Sequence, residues 1–308
     1  MRNFFDLDDL DLDEWEHLLG LALEPPAQAP LAGQGVALLF QKPSARTRNS
    51  TEMAVVDLGG HPVYIQGTEV GLDERETAED VARTLACYHR VICARVFEHS
   101  LLVRMAGALQ RSGFEVPVVN LLCDAAHPSQ AVADVLTMRE ALGPLAGRVL
   151  TYVGDANNMA RSLAKAGLLE GMEVRFASPA AYTFSTDDLS NLQAFADRVG
   201  HGGTVQTTDD PAQAAKGAAV LYTDVWTSMG QESERATRLA AFEGFTVDSS
   251  LVEQANDDAV VLHCLPAHRG EEITDGVLEG PQSLVWRQAA HRRTAMRGVL
   301  AWVVEGSP

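Results

Sequence analysis

The 308-residue chain is short of positive charge: 24 Lys and Arg stand against 42 Asp and Glu, a formal net charge of −18. Such a field repels a phosphate backbone, which argues against a nucleic-acid binder. An arginine cluster at an anion site therefore runs against the chain's average and is the more informative for it. Cysteine is scarce as well. Cys87, Cys93, Cys123 and Cys264 are scattered, with no CxxC pair and no histidines at zinc-finger spacing. Neither a metal finger nor a disulfide framework is expected, and a reducing cytoplasmic setting is the simplest reading. No stretch approaches the ~18–20 apolar residues of a membrane span. The acidic start MRNFFDLDDLDLDEWEHLL lacks the basic region of a secretory signal. Low-complexity segments and solenoid-period repeats are also missing. What is there, 46% apolar residues over a length near two average domains, can bury a core that offsets ordering entropy.

Strand and helix patterns alternate along the chain. Residues 5–22 read as an amphipathic helix and GVALLF (35–40) as a buried strand. A helix follows, opened by Pro43 and Ser44 and closed by Gly59 and Gly60. Strands at 62–66, 90–94 and 116–119 alternate with helices at 76–88 and 99–112, and 128–142 is a further helix. LGPLAGR (142–148) reads as a hinge, after which the alternation restarts. Strands RVLTYVG (148–154), EVRFAS (173–178), GTVQTT (203–208), AAVLYTD (218–224) and AVVLHCLP (259–266) are interleaved with helices at 158–171 and 186–199. The long segment 283–305 is the last helix. Strand–helix–strand order implies parallel sheets, so the expected fold is α/β, two domains, each a parallel sheet flanked by helices.

Ligands of open parallel sheets bind beyond the carboxyl ends of the strands, and five polar segments fall there. KPSARTR (42–48) puts Ser44, Arg46 and Thr47 at a helix start, an anion site suited to phosphate, although an ordinary Ser N-cap with surface arginines has the same pattern. DAAHPSQ (124–130) places His127 and Gln130 at another helix start, where a histidine can donate to a carbonyl oxygen that gains charge. GDANNMARS (154–162) lacks GxGxxG, so its Asn157 and Asn158 suit a small polar ligand better than a dinucleotide. YTDVWTSMGQE (222–232) sets Asp224 at a strand end, where a carboxylate suits an ammonium group, with Ser228 and Met229 in the following loop. HCLPAHRGEE (263–272) places Cys264 at a strand tip, which alone fits a merely buried cysteine.

Taken together and in this order, S-A-R-T-R (44–48), H-P-S-Q (127–130), T-D-V-W-T-S-M-G (223–230) and H-C-L-P (263–266) resemble the aspartate/ornithine carbamoyltransferase family over nearly the whole chain. The S-M-G loop is similar to that of ornithine-specific members. The resemblance implies a carbamoyl-phosphate domain at 1–142, joined by the C-terminal helix 284–308 packing back on it, and an ornithine domain at 147–283. Hinge closure would exclude water while the δ-amino group attacks the carbamoyl carbon to give citrulline and phosphate. It implies no cofactor, no metal and no covalent enzyme intermediate, with carbamoyl phosphate and L-ornithine as the small-molecule partners. A homotrimer or a multiple of trimers in the cytoplasm, within arginine biosynthesis, is the implied setting. By the same resemblance Ser44, Ala45, Arg46 and Thr47 cradle phosphate, and Arg95 neutralises it and polarises the carbamoyl group. His127, Pro128, Ser129 and Gln130 meet the carbamoyl end, and Arg292 reaches the same substrate. Asn158, Asp224, Ser228 and Met229 grip ornithine, while Cys264 and Leu265 line the meeting point, Cys264 with Asp224 orienting or deprotonating the amine.

Three departures stand out. Ala45 replaces the family's usual Thr and loses a hydroxyl. Gly71 falls where relatives carry a Gln, His or Lys reaching into a neighbouring subunit, leaving Arg75 to substitute or the contact absent. QAAHRR leaves Arg292 or Arg293 as the anion ligand, with spacing favouring Arg292. The competing readings are a carbamoyltransferase for putrescine, acylated ornithine or aspartate, a catalytically silent paralogue, and a Rossmann oxidoreductase, the last lacking its glycine fingerprint.

Overall fold

The computed structural model describes residues 2–24, 28–227 and 232–306. The chain divides into two compact units, Met1–Ala133 with Ala290–Pro308, and Asp134–Ala289. These divisions fall inside two helices, Pro128–Leu142 and Val285–Glu305, rather than at the 142–148 glycine-proline segment.

The first unit carries β1 (Gly35–Phe40), β2 (His61–Gln66), β3 (Val91–Arg95) and β4 (Val118–Leu122), all parallel in the order β2-β1-β3-β4. β1 and β3 are almost wholly buried, which explains their continuous apolar runs: a central parallel strand is covered on both faces. Around them lie α1 (Leu12–Leu23), α2 (Ala45–Asp57), α3 (Gly67–Val70), α4 (Ala78–Ala86), α5 (His99–Arg111) and the start of α6 (Pro128–Leu142). The single helix expected over 5–22 is interrupted. A one-turn segment, Leu7–Asp9, precedes α1, and Leu10 between them is extended. The carboxylates explain the break: Asp6 accepts from Leu7 N, and Asp11 accepts from Glu14 N as the cap of α1.

The second unit carries β5 (Val149–Val153), β6 (Glu173–Ala177), β7 (Thr204–Thr208), β8 (Val220–Thr223) and β9 (Val260–His263), parallel in the order β7-β6-β5-β8-β9. Its helices are α7 (Asn158–Leu169), α8 (Thr186–Val199), α9 (Pro211–Ala215), α10 (Arg235–Ala241), α11 (Ser249–Val252), α12 (Asp275–Leu278) and the start of α13 (Val285–Glu305). Trp226, Phe242, Phe245 and Val247 anchor a core beneath β8 and β9.

The remainder of α13 belongs to the first unit and packs on α1 as expected for the C-terminal helix. Arg297 donates to the Ala22 carbonyl, and His17 pairs with Glu305 at 2.7 Å. Gly298 makes this possible, since a Cβ there would lie 2.6 Å from Ala22 Cβ and 2.8 Å from the Leu18 carbonyl oxygen.

Candidate active site

Strand order reverses between β1 and β3 in the first unit and between β5 and β8 in the second, the points where doubly wound sheets open a crevice. Of the polar segments singled out above, 42–48, 154–162 and 222–232 lie at the ends of β1, β5 and β8, while 124–130 and 263–272 lie at the ends of the neighbouring β4 and β9.

In the first unit Ser44 is the extended N-cap of α2, its Oγ accepting from Thr47 N at 3.4 Å and donating to Thr47 Oγ1 at 3.1 Å. Ala45 and Arg46, both exposed, form the first turn, at the positive end of the helix dipole. Arg95 is the last residue of β3. The register slips there, Ala94 facing Asn120 and Arg95 facing Leu122, a bulge of the kind that re-aims a side chain. The buried Arg95 brings Nη1 to 3.5 Å from Thr47 Oγ1. From α13, Arg292 donates to the same oxygen at 3.1 Å and to Gln130 Oε1. Its neighbour Arg293 is half exposed and pairs with Asp57, so only Arg292 joins the cluster.

Pro128 is the first residue of α6, with Ser129 and Gln130 buried behind it and His127 just ahead. Burial, followed by the charges of Arg292, Arg95 and Arg46, holds His127 well below the usual imidazole range. The ring is neutral at pH 7 and has one N–H to donate. Burial and the charges of Arg292 and Arg46 likewise pull Arg95 down to about 10. Arg95 Nε and Ser129 Oγ, both buried, have no hydrogen-bond partner among the described residues. This half-site is an electropositive cluster with a neutral donor beside it, suited to a phosphate bearing a carbonyl.

Gly71 takes no part in these hydrogen bonds. It ends α3 in the left-handed conformation (φ 61°), and the Arg75 side chain lies 3.0 Å from where a Cβ would stand.

In the second unit Asp224 follows β8 and Cys264 follows β9, adjacent strands whose last residues, Thr223 and His263, are in register. Cys264 Sγ donates to Asp224 Oδ1 at 2.9 Å, and Val225 N donates to the same oxygen at 2.8 Å. The amide reaching Asp224 Oδ2, at 3.4 Å, is that of Asn157, which also caps α7. Asn158 turns its Oδ1 back to Met159 N at 3.0 Å. Leu265 adopts φ 57°, rare for a branched side chain, and its N donates to His263 Nδ1 at 2.9 Å. That bond puts the His263 proton on Nε2, which faces Glu272 Oε1 at 2.9 Å. Ser228 and Met229 lie outside the described residues.

Among the described residues, two clusters have ligand atoms within 4.8 Å of one another: Asp224, His263 and Cys264, and His268, Glu271 and Glu272. Both ring nitrogens of His263 are already hydrogen-bonded, and Glu272 Oε1 accepts from His263 and from His268 N. Glu271 pairs with Arg235. Neither cluster offers three uncommitted ligands.

Sequence reading missed one feature of this half-site. Arg238 on α10 donates to Asp155 Oδ2 at 2.8 Å and to the Trp226 carbonyl at 3.0 Å, tying the β5 turn to the segment after β8. Burial works against its charge, but the carboxylates of Asp155 and Glu234 prevail and raise its pKa. Burial raises that of Asp155, against the pull of Arg238. A lone Arg eight residues beyond Gly230 gives no sign of this contact in the sequence.

Comparison with known proteins matches both halves to one family. Residues 2–140 match the carbamoyl-P binding domain of aspartate/ornithine carbamoyltransferases, and residues 146–303 match the Asp/Orn binding domain. Ornithine carbamoyltransferase of Acidothermus cellulolyticus is 46% identical over 312 residues, covering 100% of this chain and 98% of that protein. The structure of ornithine carbamoyltransferase from Pyrococcus furiosus superposes with a TM-score of 0.93 at 40% identity, over 100% of this chain and 98% of that one. An N-acetyl-L-ornithine transcarbamylase variant complexed with PALAO also shares the fold, at 25% identity and a TM-score of 0.86, covering 98% of this chain and 99% of that one. No helix among the described residues is long and apolar enough to cross a membrane.

Proposed function

The chain belongs to the aspartate/ornithine carbamoyltransferase family, and from that premise we propose that it transfers the carbamoyl group of carbamoyl phosphate to the δ-amino group of L-ornithine, giving L-citrulline and phosphate. The observation that carries the choice of acceptor is the Asp224 carboxylate, hydrogen-bonded to Cys264 at two adjacent strand ends. A fixed negative charge suits an acceptor bearing ammonium groups and opposes aspartate, with its two carboxylates.

In this reading the first unit holds carbamoyl phosphate. The start of α2 and the guanidinium groups of Arg46, Arg95 and Arg292 take the phosphate, and neutral His127 donates to the carbamoyl oxygen while Gln130 holds its amide end. The second unit holds ornithine through Asp224, Asn157 and Asn158, with Ser228 and Met229 completing the grip, and Cys264 and Leu265 beside the reacting amine. The neutral δ-amine attacks the carbamoyl carbon, and the oxygen gains charge in the tetrahedral intermediate. The C–O bond to phosphate then breaks, and the proton lost by the amine leaves with phosphate. Positioning and charge stabilisation supply the rate. Family membership also supports a homotrimer, or a multiple of trimers, acting in the cytoplasm and supplying citrulline for arginine synthesis.

The test is an acceptor panel. Purified protein with carbamoyl phosphate should form ureido product and release phosphate with ornithine, and not with putrescine, N-acetylornithine or aspartate. Product from another amine would leave the phosphate half-site standing and overturn the acceptor. No product from any of them, with carbamoyl phosphate still bound, would favour a silent paralogue.

Ala45 provides a second check. It is the exposed first residue of α2, and its backbone N–H serves phosphate whatever the side chain. Ala45→Thr should lower KM for carbamoyl phosphate about fivefold, the worth of one added hydrogen bond of ~1 kcal/mol, with kcat within about twofold. An unchanged KM in steady-state kinetics would mean that the backbone donors suffice.

A further inference from the structure

Beneath Asp224 and Cys264 lies a second set of polar groups. Tyr222, on β8 and two residues before Asp224, donates from its hydroxyl to Asp134 Oδ2 at 3.1 Å. Gln288 on α13 donates from Nε2 to Asp134 Oδ1 at 2.7 Å and lies 3.1 Å from the Tyr222 hydroxyl. Its Oε1 accepts from His263 N, the residue before Cys264, at 2.9 Å. β9 is the edge of its sheet, and Gln288 thus satisfies the last outward N–H of that edge. Asp134 is fully buried and Gln288 1% exposed. Burial, with the Asp134 charge next, raises the Tyr222 pKa and keeps its hydroxyl a donor.

A carboxylate at this depth loses its solvation, and apolar side chains of similar volume would fill the space at less cost. Directional bonds give what apolar packing would not: they set the height and pleat of two neighbouring strand ends. We propose that Asp134 and Gln288 are positioning residues for the amine half-site, holding Asp224 through Tyr222 and Cys264 through the backbone of His263. The proposal rests on the reading that Asp224 and Cys264 receive ornithine.

Asp134→Asn leaves one acceptor oxygen where Gln288 Nε2 and the Tyr222 hydroxyl need two. It should raise KM for ornithine about tenfold while KM for carbamoyl phosphate stays within about twofold, the split expected of a fault confined to one half-site. Asp134→Asn/Gln288→Glu makes amide and carboxylate trade places. The new amide donates to the new carboxylate, which still accepts from His263 N, and the Tyr222 hydroxyl keeps an oxygen to donate to. This double variant should return KM for ornithine to within about threefold of wild type. Tyr222→Phe removes the hydroxyl's bond to Asp134 and the one it accepts from Gln288 without burying a new polar group, and should raise KM for ornithine about threefold even if Asp134→Asn does not accumulate folded protein.

Thermal midpoints measured alongside separate structure from position. Lowered midpoints with ornithine KM unchanged in Asp134→Asn and Tyr222→Phe would overturn the proposal, as would a double variant no better than the single one. Wild type assayed in parallel keeps the underlying reading distinct. Absence of citrulline from wild type overturns the ornithine assignment itself, whereas citrulline from wild type with unmoved variants overturns only the positioning role.

Discussion

Arg95→Met is expected to cut kcat/KM for carbamoyl phosphate by about 10²–10³-fold, the usual cost of one lost donor to developing charge, and at the same time to raise the thermal midpoint of the unliganded protein. Both effects have one cause. Arg95 is buried, and the charges acting on it are those of Arg292 and Arg46, which with burial pull its pKa down to about 10. The sign follows from that direction. A cation whose pKa is lower in the folded than in the unfolded state destabilises the fold wherever it is protonated, and the penalty fades only as pH rises through the folded value. At pH 7 the protein therefore carries like-charge repulsion that a phosphate dianion relieves and that an apolar side chain of similar length removes. A stability gain on losing a functional charge is the usual trade at such sites. At ~2–4 °C per kcal/mol for chains of this order, the rise should be a few degrees.

Phosphate supplies the control. Saturating phosphate should raise the wild-type midpoint strongly, since 100-fold excess over Kd is worth about 2.7 kcal/mol, and should move the Arg95→Met midpoint far less. Equal phosphate shifts in the two proteins, read by calorimetry or dye fluorescence, would remove Arg95 from the anion site.

How much of this was open to inspection in the sequence depends on how local each feature is. β1 and β9 announce themselves as short apolar runs, and the start of α2 is written in Pro43 and Ser44, because burial on both faces and N-capping are decided within a few residues. The break at Leu10 was missed because an apolar period continues through it while two aspartates cap on either side. Arg292 and Arg293 have the same chemistry and adjacent positions. Only the rotation of α13, set by the packing of Gly298 on α1, turns one toward Thr47 and the other toward Asp57. Asn157 and Asn158 pose the same ambiguity, resolved by which of them caps α7 and reaches Asp224. Asp134 and Gln288 lie 154 positions apart, and neither spacing nor composition joins them. What the chain hides is tertiary pairing between polar residues of common type, while its chemistry-bearing segments stay legible because they must sit at strand ends.

Asp224→Asn should lower kcat/KM for ornithine by about 100-fold with little change in carbamoyl phosphate binding, since a charge-assisted bond is worth up to ~3 kcal/mol. The substitution keeps the shape and retains an oxygen that can accept from Cys264 Sγ and Val225 N, which now meet Oδ1 at 2.9 and 2.8 Å. What it removes is the negative charge, and it places an amide nitrogen opposite Asn157 Nδ2, now 3.4 Å from Oδ2. The loss should therefore fall on the cationic acceptor and spare the phosphate half-site. Cys264→Ser separates the thiol's part from the carboxylate's. A hydroxyl still donates to Asp224, so the penalty should stay below about tenfold if the thiol serves to orient the carboxylate. Discrimination provides the sharpest readout, because the charge that favours an ammonium-bearing acceptor is the one that excludes dicarboxylates. In Asp224→Asn the ratio of ornithine to aspartate kcat/KM should fall, even with both rates low. An unaltered ornithine KM, or a ratio that does not move, would show that the acceptor is chosen elsewhere, and the carboxylate at the end of β8 would revert to a structural role.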